Sequence, residues 1–138
     1  MSLPLIDPTV LRRLAAEIGE PAAARFARGV VRLWPQRRER LTEALALGDA
    51  AAAVDAALSL RTASSMAGAA RLADAADRIV ACVRADGPRA AMGLLPQVLA
   101  CGDVTVSVLA RGLPADLAGS ASAAIFSRPP AAAGSPRP

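Results

Sequence analysis

The chain of 138 residues contains no histidine, no lysine and no tyrosine, and aromatic residues make up only 2% of it. A structural zinc site takes four ligands, drawn mainly from cysteine and histidine. With two cysteines, Cys82 and Cys101, and no histidine, such a site cannot be assembled, and no metal or other cofactor is expected. We interpret both cysteines as small buried hydrophobic residues rather than as a disulfide.

Long apolar runs are also scarce in the sequence. No run is judged to reach the roughly 18 residues that a membrane span requires, so no membrane association is predicted. The first residues, Met1 to Asp7, lack the basic start and apolar stretch of a signal peptide. A cytoplasmic location is therefore expected.

The basic residues are all arginine, and the net charge is +4. A basic balance raises the possibility of nucleic-acid binding, but acidic residues are interspersed along the chain. The tight cluster Arg37, Arg38 and Arg40 is interrupted by Glu39. Arginines 25, 28 and 32 share one predicted helix face, which is typical of a solvated stripe. Nucleic-acid binding is accordingly held as an alternative hypothesis.

An alanine-rich composition that is poor in aromatic residues favours helix. Asp7-Pro8 and Asp49 are helix-start signals, because a carboxylate caps free backbone N–H groups. Apolar periodicity predicts five helices, over about 8–18, 21–48, 50–67, 69–85 and 88–111. The second is predicted as one helix bent at Pro35, with two helices meeting at Trp34-Pro35 as the alternative. Pro96 and Gly102 are expected to weaken the fifth.

These elements predict an all-α fold, namely an antiparallel up-down four-helix bundle with a short N-terminal capping helix. The bundle is assigned to residues 6–112. Residues 113–138 shift to proline, alanine, glycine and serine and are predicted to be a flexible tail.

The segment from Ala57 to Leu72 reads ALSLRTASSMAGAARL. It resembles the signature of histidine-phosphotransfer (HPt) domains, which runs Ala-His-x-Leu-Lys-Gly-Ser-Ser, then three residues, then Gly-Ala-x-x-Leu. The residues in register are Ala57, Leu60, Ser64, Gly68, Ala69 and Leu72. The resemblance spans about residues 6–111 and is consistent with the predicted helical bundle.

The resemblance implies that Leu58 stands at the position of the phosphorylated histidine. Arg61 stands at the lysine position and Thr62 at that of a glycine that leaves room for a partner. Leucine has no lone pair to phosphorylate, and no other histidine exists. The neighbouring serines have no recognisable base beside them. Phosphotransfer by the family's mechanism is therefore excluded, and the chain is not expected to be an enzyme.

Binding without phosphate transfer is the function that this reasoning favours. The implied partner is a receiver domain of a response regulator, or a histidine kinase. Helical phase places Ala53, Ala57, Leu60 and Ser64 on the inner face and predicts that Leu58 points outward. The predicted partner-binding residues are Leu58, Arg61, Thr62, Ser65 and Met66, with no catalytic residue. The alternatives are an arginine-rich nucleic-acid-associated protein and a plain helical interaction or dimerisation module.

Overall fold

The computed structural model describes residues 3–112, and every regular element in that range is helical. The predicted all-α class is thus confirmed for the described part of the chain. The tail predicted over 113–138 lies outside the described residues. The elements are α1 (Pro8–Ile18), α2 (Glu20–Ala46), α3 (Ala50–Met66), α4 (Ala70–Asp86), α5 (Pro88–Ala91), a 3-10 turn over Met92–Leu94, and α6 (Leu95–Arg111).

The helix starts follow the capping signals of the sequence. The Asp7 carboxylate accepts a hydrogen bond from the backbone N–H of Thr9 at 3.0 Å, and α1 begins at Pro8, directly after Asp7. Asp49 does the same for the N–H of Ala52, also at 3.0 Å, at the start of α3. Each carboxylate satisfies a donor that has no partner within its helix. The predicted starts of these two helices are confirmed.

Proline has a different effect on the helix in each of two places, Pro35 and Pro96. Helix α2 continues through Pro35, whose side chain is exposed, so the prediction of one helix is confirmed. The predicted fifth helix over 88–111 is helical along its whole length, and a 3-10 turn over Met92–Leu94 divides it into α5 and α6. Pro96 has no N–H to give to the carbonyl of Met92, and its ring crowds that carbonyl. The 3-10 turn tightens the chain at this point.

The long helices contact one another in sequence order, in a helical-bundle-like arrangement. Helix α3 packs against α2 and α4, and α6 packs against α2 and α4, while α1 lies against α2. The shared core includes the fully buried side chains of Leu11, Leu41, Leu45, Leu72, Ile79 and Val98. Alanines 53, 57 and 76 are also fully buried. Their small size lets α3 and α4 approach closely along their length.

The N-terminal segment is fastened to the turn between α3 and α4. The Asp7 N–H donates to the carbonyl of Gly68 at 2.7 Å. The backbone N–H of Arg71 donates to Pro4 at 3.2 Å, and its Nε donates to the carbonyl of Leu3 at 3.1 Å. Gly68 has a φ of +78°, a conformation that glycine adopts without a steric penalty. Gly68 therefore has a structural role in the turn that contacts the N-terminal segment.

One segment of the described chain, Pro88–Arg111, is long and apolar enough to cross a membrane by length and composition. The sequence analysis expected no apolar run of membrane-spanning length, and by length and composition this segment corrects that expectation. The same criterion is met by core helices of proteins that never enter a membrane. Leu95, Val98 and Leu109 from this segment are buried against the other helices.

Candidate partner-binding surface

The five predicted partner-binding residues lie together on α3. At 100° per residue, positions 58, 61, 62, 65 and 66 fall within an arc of about 140° of the helix circumference. Arg61, Thr62, Ser65 and Met66 are exposed, and Met66 leaves 45% of its surface accessible. The stripe therefore combines one cation, two hydroxyls and two apolar side chains. We call these five residues the α3 stripe.

Leu58 is less exposed than the sequence predicted. The inner face is confirmed, because Ala53, Ala57, Leu60 and Ser64 are all buried. Leu58 itself is partly buried and packs against the core. Around the helix Leu58 lies about 100° from Ala57, outside the buried arc. It therefore belongs to the outward side of α3 and is only partly covered by the core residues that it contacts.

Arg61 is held toward α4 by an ion pair. Its Nη1 lies 3.3 Å from Asp77 Oδ1, and the two side chains are 45% and 56% exposed. The other acid of this part of α4, Asp74, pairs within its own helix, with its Oδ2 3.1 Å from Arg78 Nε. An ion pair this exposed contributes about 0–1 kcal/mol, so Arg61 can exchange Asp77 for another carboxylate at little cost.

A small cavity lies beside the α3 stripe, between α2 and α3. Its volume is about 130 Å³, and its polar lining comes from Gln36, Arg37, Arg40 and Ser59. Arg37 Nη1 donates to Ser59 Oγ at 2.9 Å and to the Ser59 carbonyl at 3.3 Å. The Arg37 Nε is buried and has no partner among the described residues. The sequence does not predict the contact between Arg37 and Ser59, because the two residues are 22 positions apart and lie on different helices.

A second unpredicted cluster joins α2 to α6. The Trp34 indole Nε1 donates to Asp103 Oδ1 at 2.7 Å, and Arg38 Nη1 donates to the same oxygen at 2.8 Å. The Trp34 hydrogen bond, together with the Arg38 charge, lowers the pKa of the Asp103 carboxyl below its usual value. Arg38 also lies 5.9 Å from the centre of the Trp34 ring. The three arginines that the sequence grouped as one cluster thus divide between α3, α6 and solvent.

No group of three or more His, Cys, Asp or Glu side chains that could hold a metal occurs within residues 3–112. Ser59 accepts from Arg37, and the buried Ser64 hydroxyl has no hydrogen-bond partner among the described residues. Both cysteines are free, and burial raises the pKa of the Cys101 thiol, which disfavours the nucleophilic thiolate.

The α3 stripe can offer a guanidinium, hydroxyls and an apolar surface to another molecule.

Comparison of the chain with family models, with curated proteins and with solved structures gives no match in any of the three.

Proposed function

We propose that this chain is a non-catalytic HPt-like domain of two-component phosphorelay signalling. It binds a receiver domain or a histidine kinase and carries no phosphate. One observation carries the proposal: the α3 stripe gathers on one side of one helix the residues that align with the phosphorylation site of the family. Leu58, at the position of the histidine, lies at the centre of that arc.

The bundle architecture belongs to the same proposal. We infer that α2, α3, α4 and α6 form an antiparallel up-down four-helix bundle, with α1 as its cap. Contacts between α2 and α6 support this, because they run in opposite order along the two helices. Arg38 meets Asp103, whereas Arg28 shares a cleft with Leu109 and Arg111, near the end of α6.

Docking would use two kinds of contact. The accessible part of Leu58, with Thr62 one turn later, provides an apolar contact at the centre of the interface. Arg61 leaves Asp77 and pairs with the acidic pocket of a receiver. The carboxylates of such a pocket form charge-assisted hydrogen bonds with a guanidinium. A chain docked in this way sequesters the receiver, or competes with a true phosphotransfer domain for it.

The test restores the missing nucleophile. In the double variant Leu58→His with Thr62→Gly, we expect label transfer from a phosphorylated receiver to the chain, with the stability of phosphohistidine: resistant to base and labile in acid. Glycine within a helix costs about 1 kcal/mol relative to alanine, and circular dichroism checks that the variant is folded. Leu58→Gln with Thr62→Gly is the matched control and should accept nothing.

The unaltered chain provides a second arm of the same experiment. Added in excess, it should slow transfer to the double variant, because both occupy the same face of the receiver. A folded double variant that accepts no phosphate from a panel of receivers and kinases would contradict the proposal. That result would favour a plain helical interaction or dimerisation module.

A further inference from the structure

A cleft that none of the α3 residues touches lies between α2 and the end of α6. Its volume is about 420 Å³, within the range of small-molecule sites. Three arginines and three apolar residues line it: Arg28, Val31, Arg32, Leu109, Ala110 and Arg111. Leu109 is buried and Val31 partly buried, so the floor of the cleft is apolar and its rim is cationic.

Among residues 3–112, no acid balances the charge of this rim. The lining residues that the structure describes include no carboxylate. Arg28 and Arg32 make no ion pair or hydrogen bond with any other part of the chain that the structure describes. They are one helical turn apart, a spacing at which like charges repel. The Arg32 guanidinium bends back over the intervening turn, with its Nη2 3.8 Å from the position of a Cβ at Gly29.

Arg111 differs from the other two arginines. It lies in the last turn of α6 and donates to Ser107 Oγ at 2.9 Å. The unpaired carbonyls of a helix C-terminus favour a cation, so its charge is partly compensated. Above the apolar floor, the guanidiniums of Arg28 and Arg32 therefore hold charge that no other described residue compensates.

We propose that this cleft binds a small phosphate monoester that carries an apolar or aromatic body. The guanidinium fork matches phosphate oxygens, and two uncompensated cations match the charge of about −1.5 to −2 that a phosphate monoester carries at neutral pH. A carboxylate carries only one negative charge. The apolar body covers Val31 and Leu109, which inorganic phosphate alone leaves bare. This proposal is independent of the function proposed for the α3 stripe.

Calorimetric titration of the full chain with phenyl phosphate, inorganic phosphate and benzoate tests this assignment. We expect phenyl phosphate to bind one to one, and about tenfold more tightly than either of the other two, because each lacks one half of the recognition. The double variant Arg28→Gln with Arg32→Gln should lose about tenfold or more in affinity for phenyl phosphate. Arg84→Gln with Arg89→Gln removes the same charge from exposed positions of α4 and α5 and should change the affinity less than about twofold.

Three results would overturn the proposal. The first is the absence of phenyl phosphate binding at low ionic strength. The second is an equal loss of affinity for phenyl phosphate in the two double variants, which would show that net charge alone causes the loss. The third is salt-sensitive binding of a single-stranded oligonucleotide together with no binding of phenyl phosphate, which would assign the arginines to a nucleic-acid backbone.

Discussion

At the scale of single residues, the contact between Trp34 and Gly102 sets how closely α2 and α6 approach. Trp34 is 4% exposed, and its ring occupies the space that a side chain at position 102 would need. The ring is also held by the hydrogen bond from Nε1 to Asp103. Gly102, expected from sequence to weaken its helix, instead makes room for an indole.

Gly102→Ala should therefore destabilise the domain. A Cβ at this position would overlap the Trp34 ring, and overpacking of this kind costs about 1–3 kcal/mol. The gain in helix propensity, about 1 kcal/mol, offsets only part of that cost. We expect a net loss of up to about 2 kcal/mol, measured by urea unfolding with circular dichroism. Gly93→Ala is the matched control, since nothing lies within 4 Å of its Cβ. Equal stability of the two variants would refute the steric account.

Asp103 should make part of the stability dependent on pH. Its pKa is lowered in the folded state by Trp34 and Arg38, so the stabilisation is present above the unfolded value of about 3.9. It is lost as the pH falls through the folded value. The side chain is 53% exposed, which limits the effect to about 1 kcal/mol or less.

The measurement compares the chain with Asp103→Asn by urea unfolding at several pH values. The difference in unfolding free energy should narrow as the pH falls below about 4. Asp55→Asn, at an exposed position of α3, controls for the removal of one charge. A difference for Asp103→Asn that stays constant from neutral to acidic pH would show that the ionised form has no special role.

At the scale of helices, local signals in the sequence predicted most boundaries. Asp7 and Asp49 act over two or three residues, so their effect can be read without the fold. Pro96 was expected to weaken the fifth helix, and the 3-10 turn lies just before it because proline acts on a carbonyl four residues earlier, where Gly93 adds little helix preference. Leu58 was placed on the correct side of α3, but its partial burial depends on how closely neighbouring helices pack.

The attachment of the N-terminal segment can be tested at Gly68. A Cβ there would lie 2.5 Å from the Asp7 carbonyl oxygen and 3.1 Å from Val10 Cβ, in a backbone conformation with φ of +78°. Gly68→Ala should lose about 3 kcal/mol, from backbone strain and steric overlap together.

Gly48→Ala separates those two causes. Gly48 has a φ of +73° but nothing within 4 Å of its Cβ, so it should lose only about 1–2 kcal/mol. Urea unfolding gives both values, and hydrogen exchange should show faster exchange over residues 3–18 in the Gly68 variant alone. Equal losses in both variants would mean that the contact with Asp7 contributes nothing.

At the scale of the whole molecule, the arginines on α2 are divided among different surroundings. Arg37 binds α3 through Ser59, and Arg38 binds α6 through Asp103. Arg28 and Arg32 line an open cleft whose described lining includes no acid. The sequence shows all of these as one basic helix. Sequence spacing could not separate them, because each partner comes from a different and distant part of the chain. The α3 stripe was predictable, since its five residues are neighbours within one helix.

The burial of Trp34 has an optical consequence. It is the one indole in a chain without tyrosine, so ultraviolet emission of the protein arises almost entirely from the contact between α2 and α6. A shift of that emission to longer wavelength reports water reaching this contact. Opening confined to α3 and α4 would leave the spectrum unchanged. Fluorescence and a signal from the whole helical backbone thus distinguish loss of α6 from unfolding of the entire domain.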